Sequence, residues 1–273
     1  MSLRADGWMT GRSFATLQPV AGTSETGSYA WLLLTYLIHT HSDTTSGTFM
    51  SDSNLPEWEQ LLSAAAHLQA ILPEATLVGG TAVAIFAEHR LSHDADHVLP
   101  NLRDTFDDVL AQLEAVAGWS TARVKRPVLI LGSLDGIETG VRQLIREQPL
   151  ETQEITIGDV RLILPTEEEL LRIKGVLILK RNATRDYLDF AALSERIGPE
   201  RVNRALASFD RLYPQASGES ALQQLQVQLA NSMPYDLEDT DLSEYRKLHP
   251  KWHDWSRVKE ICATIAVDLF KRL

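Results

Sequence analysis

Two short stretches combine residue types that could do chemistry together. Leu77-Val78-Gly79-Gly80-Thr81-Ala82 runs an apolar segment into a glycine pair ahead of a helical pattern, and His89-Arg90-Leu91-Ser92-His93-Asp94-Ala95-Asp96-His97 follows about one helix later. In an extended strand alternate residues share a face, so Ser92, Asp94 and Asp96 project together while His93, Ala95 and His97 point the other way. Two carboxylates side by side repel unless a cation lies between them. Oxygen ligands at that spacing suit Mg²⁺, which takes one or two carboxylates plus substrate phosphates. A Gly-Gly-Thr turn ahead of a helix offers backbone N–H groups to an anion, and glycine lets a phosphate approach closely. Each stretch alone reads as an ordinary turn or a solvated strand end; in this order they read as a site for a metal-nucleotide.

A second segment lies downstream. Pro165-Thr166-Glu167-Glu168-Glu169-Leu170-Leu171-Arg172-Ile173-Lys174 opens a helix, continues to Arg181 and is followed by Arg185-Asp186-Tyr187-Leu188-Asp189. By itself it is a helical hairpin. The window from Arg172 to Arg185 holds five basic residues and no acid, which reads either as a solvated basic face or as cations facing phosphates.

Together, Gly-Gly-Thr, a helix, His-Arg-x-Ser-x-Asp-x-Asp and the downstream Lys helix with Arg-Asp-x-x-Asp resemble the AbiEii/AbiGii-like nucleotidyltransferases, polymerase-β-type enzymes of which many are toxins of toxin-antitoxin or phage-abortive systems. The matched region runs from about Leu77 to Leu193. The resemblance implies an α/β (α+β) fold in which a mixed sheet with flanking helices is followed by a helical domain. It implies Mg²⁺-dependent transfer of an NMP from an NTP to an acceptor hydroxyl on RNA such as tRNA, or on protein, with a cognate antitoxin as partner. Asp94 and Asp96 would hold the metal, and Lys174 and Asp186 would complete the catalytic set. Gly79, Gly80, Thr81, Arg90, Ser92 and Arg181 would bind the nucleotide. Alternatives are a small-molecule (antibiotic) nucleotidyltransferase and a degenerate nucleotide-binding or partner-binding module. The chain departs from the family pattern in two places. A third carboxylate is expected on a later strand, where Gln143 stands, with Glu138 or Asp135 as substitutes in another register. His93 and His97 stand where the family places apolar residues.

Other reactive side chains support less. His89, His93 and His97 recur every four residues, which would suit zinc on a helix, but the Asp-Ala-Asp segment reads better as strand. The group His249-Pro250-Lys251-Trp252-His253-Asp254-Trp255 reads as a helix start and packing, and Cys262 falls on the apolar pattern of the last helix. No nucleophile elbow accompanies the serines and threonines of residues 40–51.

The elements that must position these residues follow from periodicity. Pro56 to Leu72 is an amphipathic helix, Ala75 to Val78 a short strand, Ala82 to Glu88 a helix, His93 to Val98 a strand and Leu102 to Ala117 a helix. Strand-like runs cover Val124 to Leu131, Gly140 to Ile145 and Glu154 to Leu164, the last turning at Gly158-Asp159. After Pro165 the pattern is helical: Thr166 with Glu169 forms a capping box, and further helices cover Arg185 to Arg196, Pro199 to Leu212, Glu219 to Asn231 and Asp254 to Leu273.

The 273 residues are enough for one large domain or two modest ones. A charge shift supports dividing them at Pro165, since 10 basic and 20 acidic residues precede Thr166 whereas 16 and 17 follow. The expected organisation is an extension over 1–49, a sheet domain over 50–165 and a helical domain over 166–273. The Ser-, Thr- and Gly-rich extension precedes Met50, so translation from Met50 and an ordinary N-terminal tail both remain open; intact mass of the natively expressed protein separates them. One cysteine removes disulfide scaffolds and fits a cytoplasmic location. The apolar run Ala30 to Ile38 is far short of the roughly 20 residues that span a bilayer. A net charge of −11 argues against coating nucleic acid by bulk electrostatics and leaves room for one local contact.

Overall fold

The computed structural model describes residues 57–271; the extension over 1–49 and the Met50 start lie outside the described residues. The order is α1 (Glu57–Ile71), β1 (Thr76–Leu77), α2 (Gly79–Ala87), β2 (Asp94–Leu99), α3 (Leu102–Glu114), β3 (Trp119–Lys125), β4 (Leu129–Leu134), β5 (Ile137–Gln143), β6 (Thr152–Ile157) and β7 (Val160–Pro165), then helices α4 (Glu167–Arg181), α5 (Thr184–Leu206), α6 (Phe209–Leu212), α7 (Ala221–Ala230) and α8 (Trp255–Phe270). The five-stranded sheet has the order β1-β2-β5-β4-β3; β2 and β5 are parallel and the other neighbours antiparallel. This is the mixed sheet with flanking helices expected from the sequence.

One face of the sheet is apolar because the period-2 pattern of β2, β4 and β5 delivers Leu99, Ile130, Leu134 and Val141 to it. They pack with Leu68 and Leu72 of α1 and with Phe106, Val109 and Leu113 of α3. The β4–β5 hairpin closes on Asp135-Gly136, both at positive φ, as a two-residue turn of this hand requires. The ribbon β6/β7 turns at Gly158-Asp159 as expected. Its β7 strand is held by α1, where the buried Gln69 side chain accepts from the Ile163 N–H and donates to the Ile163 carbonyl, satisfying a strand edge.

Two expectations need correction. The run from Val124 to Leu131 is two strands, because Pro127 has no N–H to offer a ladder and the chain turns there, with Val128 N–H donating to the Lys125 carbonyl. β3 escaped the periodicity because it is an edge strand with no buried residue, so neither face carries an apolar stripe. The second helix begins at Gly79 rather than Ala82: Gly79, at φ +76°, takes the chain straight from Val78 into the helix, so the Gly-Gly-Thr turn is its first turn.

At α4 the Thr166 hydroxyl accepts from the Glu169 N–H, as a capping box requires. The reciprocal half is absent: the Thr166 N–H donates to the Glu151 carbonyl, and the buried Glu169 carboxylate pairs with Arg146 and Arg172. Arg172 and Lys174 are buried, so the basic window is no solvated face. Within α5 the chain leaves the helical region at Gly198, φ +78°, ahead of Pro199, so two helical segments meet there at a kink, as the two helices expected on either side of it require.

A buried ionic network joins the α2–β2 connection to α4 and α5. Asp189 of α5 accepts from Arg90 through both oxygens, at 2.9 and 3.1 Å, and pairs with His89 Nε2 at 2.6 Å and Lys174 Nζ at 2.7 Å. Lys174 also meets Asp186 at 3.4 Å, and Arg181 binds Asp186 in two-pronged fashion at 2.5 and 2.7 Å. Burial by itself would raise the Asp189 carboxyl; Arg90, Lys174 and the His89 bond overcome it and hold the group well below the usual carboxylate range. Asp186 is lowered in the same way, against its burial, by Arg181 and Lys174. Burial holds His89 below its ordinary value.

Two stability measurements follow. Asp189→Asn removes the carboxylate that pairs with the buried Arg90 and leaves Lys174 with Asp186 alone, so urea unfolding should show a loss of about 3–5 kcal/mol. His97, fully buried with Nδ1 on the Ala95 carbonyl at 3.1 Å, is pushed down by burial to about 4. The unfolded chain then binds a proton the folded chain refuses, and stability should fall by roughly 3 kcal/mol as pH drops from about 6.5 to 4. His97→Leu should flatten that part of the pH profile, and an unchanged slope would show that other groups cause it.

Candidate nucleotide site

Asp94 and Asp96 stand on the same face of β2, with side chains 26% and 24% exposed, while Ala95, His97 and Leu99 point into the interior. The strand is fixed from the glycine side. The buried Thr81 hydroxyl donates to the Asp94 carbonyl at 2.5 Å, and the Val78 N–H donates to the Asp96 carbonyl at 2.8 Å. Ser92 donates to Asp94 Oδ1 at 2.8 Å.

Gly79 is required by its positive φ of +76° and Gly80 by close approach. A Cβ on Gly79 would lie 3.5 Å from the Asp96 Cβ, so the first turn of α2 sits directly on that aspartate. A Cβ on Gly80 would lie 2.3 Å from Arg90 Nη2, a guanidinium that Asp189 holds in place. The α2 N-terminus therefore presents main-chain N–H groups beside Asp96, a favourable place for an anion.

The neighbouring strand decides what surrounds the carboxylates. In the parallel register Asp94 faces Glu138, Asp96 faces Gly140 and Val98 faces Arg142, so these three β5 residues share the aspartate face. Gly140 leaves that face bare, since a Cβ there would lie 3.0 Å from Asp96 Oδ1. Arg142 Nη2 lies 3.3 Å from the same oxygen. Gln143, where a third carboxylate was expected, pairs with the inward-pointing Leu99; its side chain accepts from the Arg103 N–H and donates to the Pro100 carbonyl, away from the aspartates. Asp135 is taken up at the hairpin turn by His67. Glu138 is exposed, and among the described residues no three His, Cys, Asp or Glu side chains come together to hold a metal.

On the other side, the connection between α7 and α8 crosses residues 89–91, where Leu91 N–H donates to the Arg246 carbonyl and His249 N–H to the His89 carbonyl. It brings Arg246 Nη1 to 3.7 Å from Asp94 Oδ1. A cavity of about 180 Å³ opens between β2, β5 and α4, lined by Gly79, Asp96, Arg142 and Arg181 together with apolar side chains such as Ile173 and Val176. Arg181 also borders a second cavity of about 460 Å³, which Arg246 and Tyr245 line from the far side.

The structure thus brings together Gly79, Gly80, Thr81, Ser92, Asp94, Asp96 and Arg181. It places Lys174, Asp186 and Arg90 behind them, buried in the ionic network and absent from the walls of both cavities. His93 is exposed and His97 buried, so the four-residue histidine repeat forms no cluster. Sequence reasoning missed Arg142 and Arg246, because only strand register and a long loop place them, and missed the part of Asp189. The signal for Asp189 was present: Asp186 and Asp189 sit three apart, on one helix face.

No protein-family model matches the chain. It is 38% identical over 130 residues, 46% of its length, to the heme uptake protein MmpL11 of Mycobacterium tuberculosis, and 35% identical over the same length to the mycolic acid-containing lipids exporter MmpL11 of Mycolicibacterium smegmatis. The matched stretch spans 13% of each of those proteins. Among solved structures, a chain from H. pylori provisionally described as a nucleotidyltransferase aligns with a TM-score of 0.50 at 15% identity, covering 79% of this chain and 94% of that one. The antibiotic-resistance factor ANT(2'')-Ia aligns with a TM-score of 0.43 at 14% identity, covering 56% and 91%. The mixed sheet and its flanking helices are those of a nucleotidyltransferase-type fold.

Proposed function

We propose that the chain is a nucleotidyltransferase that moves an NMP from an NTP to an acceptor hydroxyl. The observation that carries the reading is the open pair Asp94 and Asp96 with the glycine start of α2 seated on Asp96 and cations on either side. Two adjacent acceptor-only carboxylates fit one Mg²⁺, which usually takes one or two carboxylates and completes its shell with water and phosphate. When bound, that ion would neutralise triphosphate charge and polarise the α-phosphorus. The chain's own residues do the rest. N–H groups of the first turn of α2 face the phosphates, and Arg181 supplies positive charge from the α4 side. Asp186 holds Arg181 in a two-pronged pair, and Lys174 balances Asp186 and Asp189, so both act as positioning residues. The acceptor hydroxyl gives its proton to water as its oxygen bonds to the α-phosphorus, the bond from that phosphorus to the α,β-bridging oxygen breaks, and pyrophosphate leaves. Positioning and electrostatics supply most of the rate in such transfers.

The finer reading rests on the AbiEii-like motifs. The acceptor is tRNA or a protein hydroxyl, the outcome is growth inhibition relieved by an antitoxin, and the location is cytoplasmic. The transport and heme roles named for MmpL11 are left with that protein, of which the match spans 13%. A second reading, a nucleotide-binding module without turnover, draws on Arg142 and Arg246 already facing the two carboxylates.

Incubation with Mg²⁺ and each α-labelled NTP, with and without total tRNA or cell extract, should transfer label. Asp94→Ala and Asp96→Ala should each lower the transfer at least 100-fold, as loss of a metal-holding charge would. Tight NTP binding without transfer favours the second reading, and transfer unaffected by both substitutions defeats the proposal.

A further inference from the structure

On the aspartate face, the β5 position beyond Gly140 is filled by a fixed cation. Arg142 Nη2 stands 3.3 Å from Asp96 Oδ1, and the two side chains are similarly exposed, 23% and 24%. The only β5 position directly opposite Asp96 is Gly140, where a Cβ would already press on Asp96 Oδ1 at 3.0 Å and on Leu131 at 2.8 Å, so no longer side chain fits there. The cavity beyond Asp96 is lined by three arginines, Arg142, Arg146 and Arg181, with Asp96 as its one carboxylate.

We propose that Arg142 takes the place of a second metal ion, so that the site holds one divalent cation per nucleotide, with the guanidinium as the other positive charge on the phosphates. The inference rests on the nucleotidyltransferase reading. Two-metal sites place their ions roughly 4 Å apart around shared oxygen ligands. Here the oxygen of Asp96 turned toward β5 faces the Arg142 guanidinium, whose planar fork suits phosphate oxygens. A second dication beside it would meet a like charge and lack a third carboxylate among the described residues. The guanidinium fork instead matches phosphate oxygens in two-pronged geometry, and it needs no free metal to be present. Nucleotide binding would therefore depend on divalent ion through a single site, held by Asp94 and Asp96.

The full chain is titrated with Mn²⁺ in the presence of α,β-methylene ATP or its guanosine, cytidine or uridine counterpart, reading bound Mn²⁺ by electron paramagnetic resonance and bound nucleotide by calorimetry. The wild-type protein should saturate at one Mn²⁺ per nucleotide, and Arg142→Glu, which restores a carboxylate beside Asp96, at two. Arg142→Gln should keep one Mn²⁺ and bind nucleotide about tenfold more weakly, the loss of a charge-assisted contact. Two Mn²⁺ per nucleotide in the wild type overturns the assignment while leaving the nucleotidyltransferase reading intact. Nucleotide affinity unchanged in Arg142→Gln overturns it as well, and that variant decides the matter if Arg142→Glu does not fold. No binding of any of the four nucleotides overturns the nucleotidyltransferase reading itself and this inference with it.

Discussion

The structure turns on one buried carboxylate. Asp189 receives Arg90, Lys174 and His89 at once, from the α2–β2 connection and from α4. A lone charge in that position would be driven out by desolvation; surrounded by donors, it becomes the point at which the glycine turn, the aspartate strand and the helical hairpin must agree. Arg90 is the link, for its guanidinium lies against Gly80 on one side and binds Asp189 on the other. Shifting α5 by a turn would strand three cations, so the network fixes the helices against the sheet more sharply than apolar packing alone could. The apolar cluster that includes Leu61, Leu77, Leu164, Leu170 and Phe190 runs through the same region and supplies bulk stability without that directionality.

From that constraint the site inherits its charge pattern. The network holds Lys174 and Asp186 out of reach and leaves Arg181 at the cavity wall, so cationic character arrives through a residue whose own position is set by Asp186. Arg142 and Arg246 come from a strand neighbour and a crossing loop, one beside each aspartate. The result is a carboxylate pair in a ring of guanidinium groups, on a chain whose overall charge is −11. Bulk charge says little about such a site, because screening leaves mainly the charges within a Debye length, roughly 8–10 Å, to set its local potential.

Much of this was legible in the sequence, and the reasons are local. Thr166 announced a helix because a cap needs only its own first turn. Asp94 and Asp96 could be put on one face because strand alternation is a property of a single strand. Gly79 and Gly80 could be linked to close approach, although what approaches Gly80 turned out to be Arg90. The basic stretch from Arg172 to Arg185 was visible as composition, yet composition could not say that two of its members are buried and paired. The edge strand β3 left no periodic trace, since most of its side chains face water.

What only the tertiary structure decided concerns partners distant in the chain. Gln143 looked like the residue to inspect for a missing carboxylate, but a one-residue difference in strand parity sends Gln143 toward α3 and Arg142 toward Asp96. Arg246 reaches Asp94 across more than half of the described chain, through a loop whose path no period encodes. The sequence by itself determined which residues could hold charge and which face of a strand they would share, because those depend on residue type and backbone period. Which opposite charge each would meet depended on register and on burial, and these are settled only when strands, helices and loops pack together.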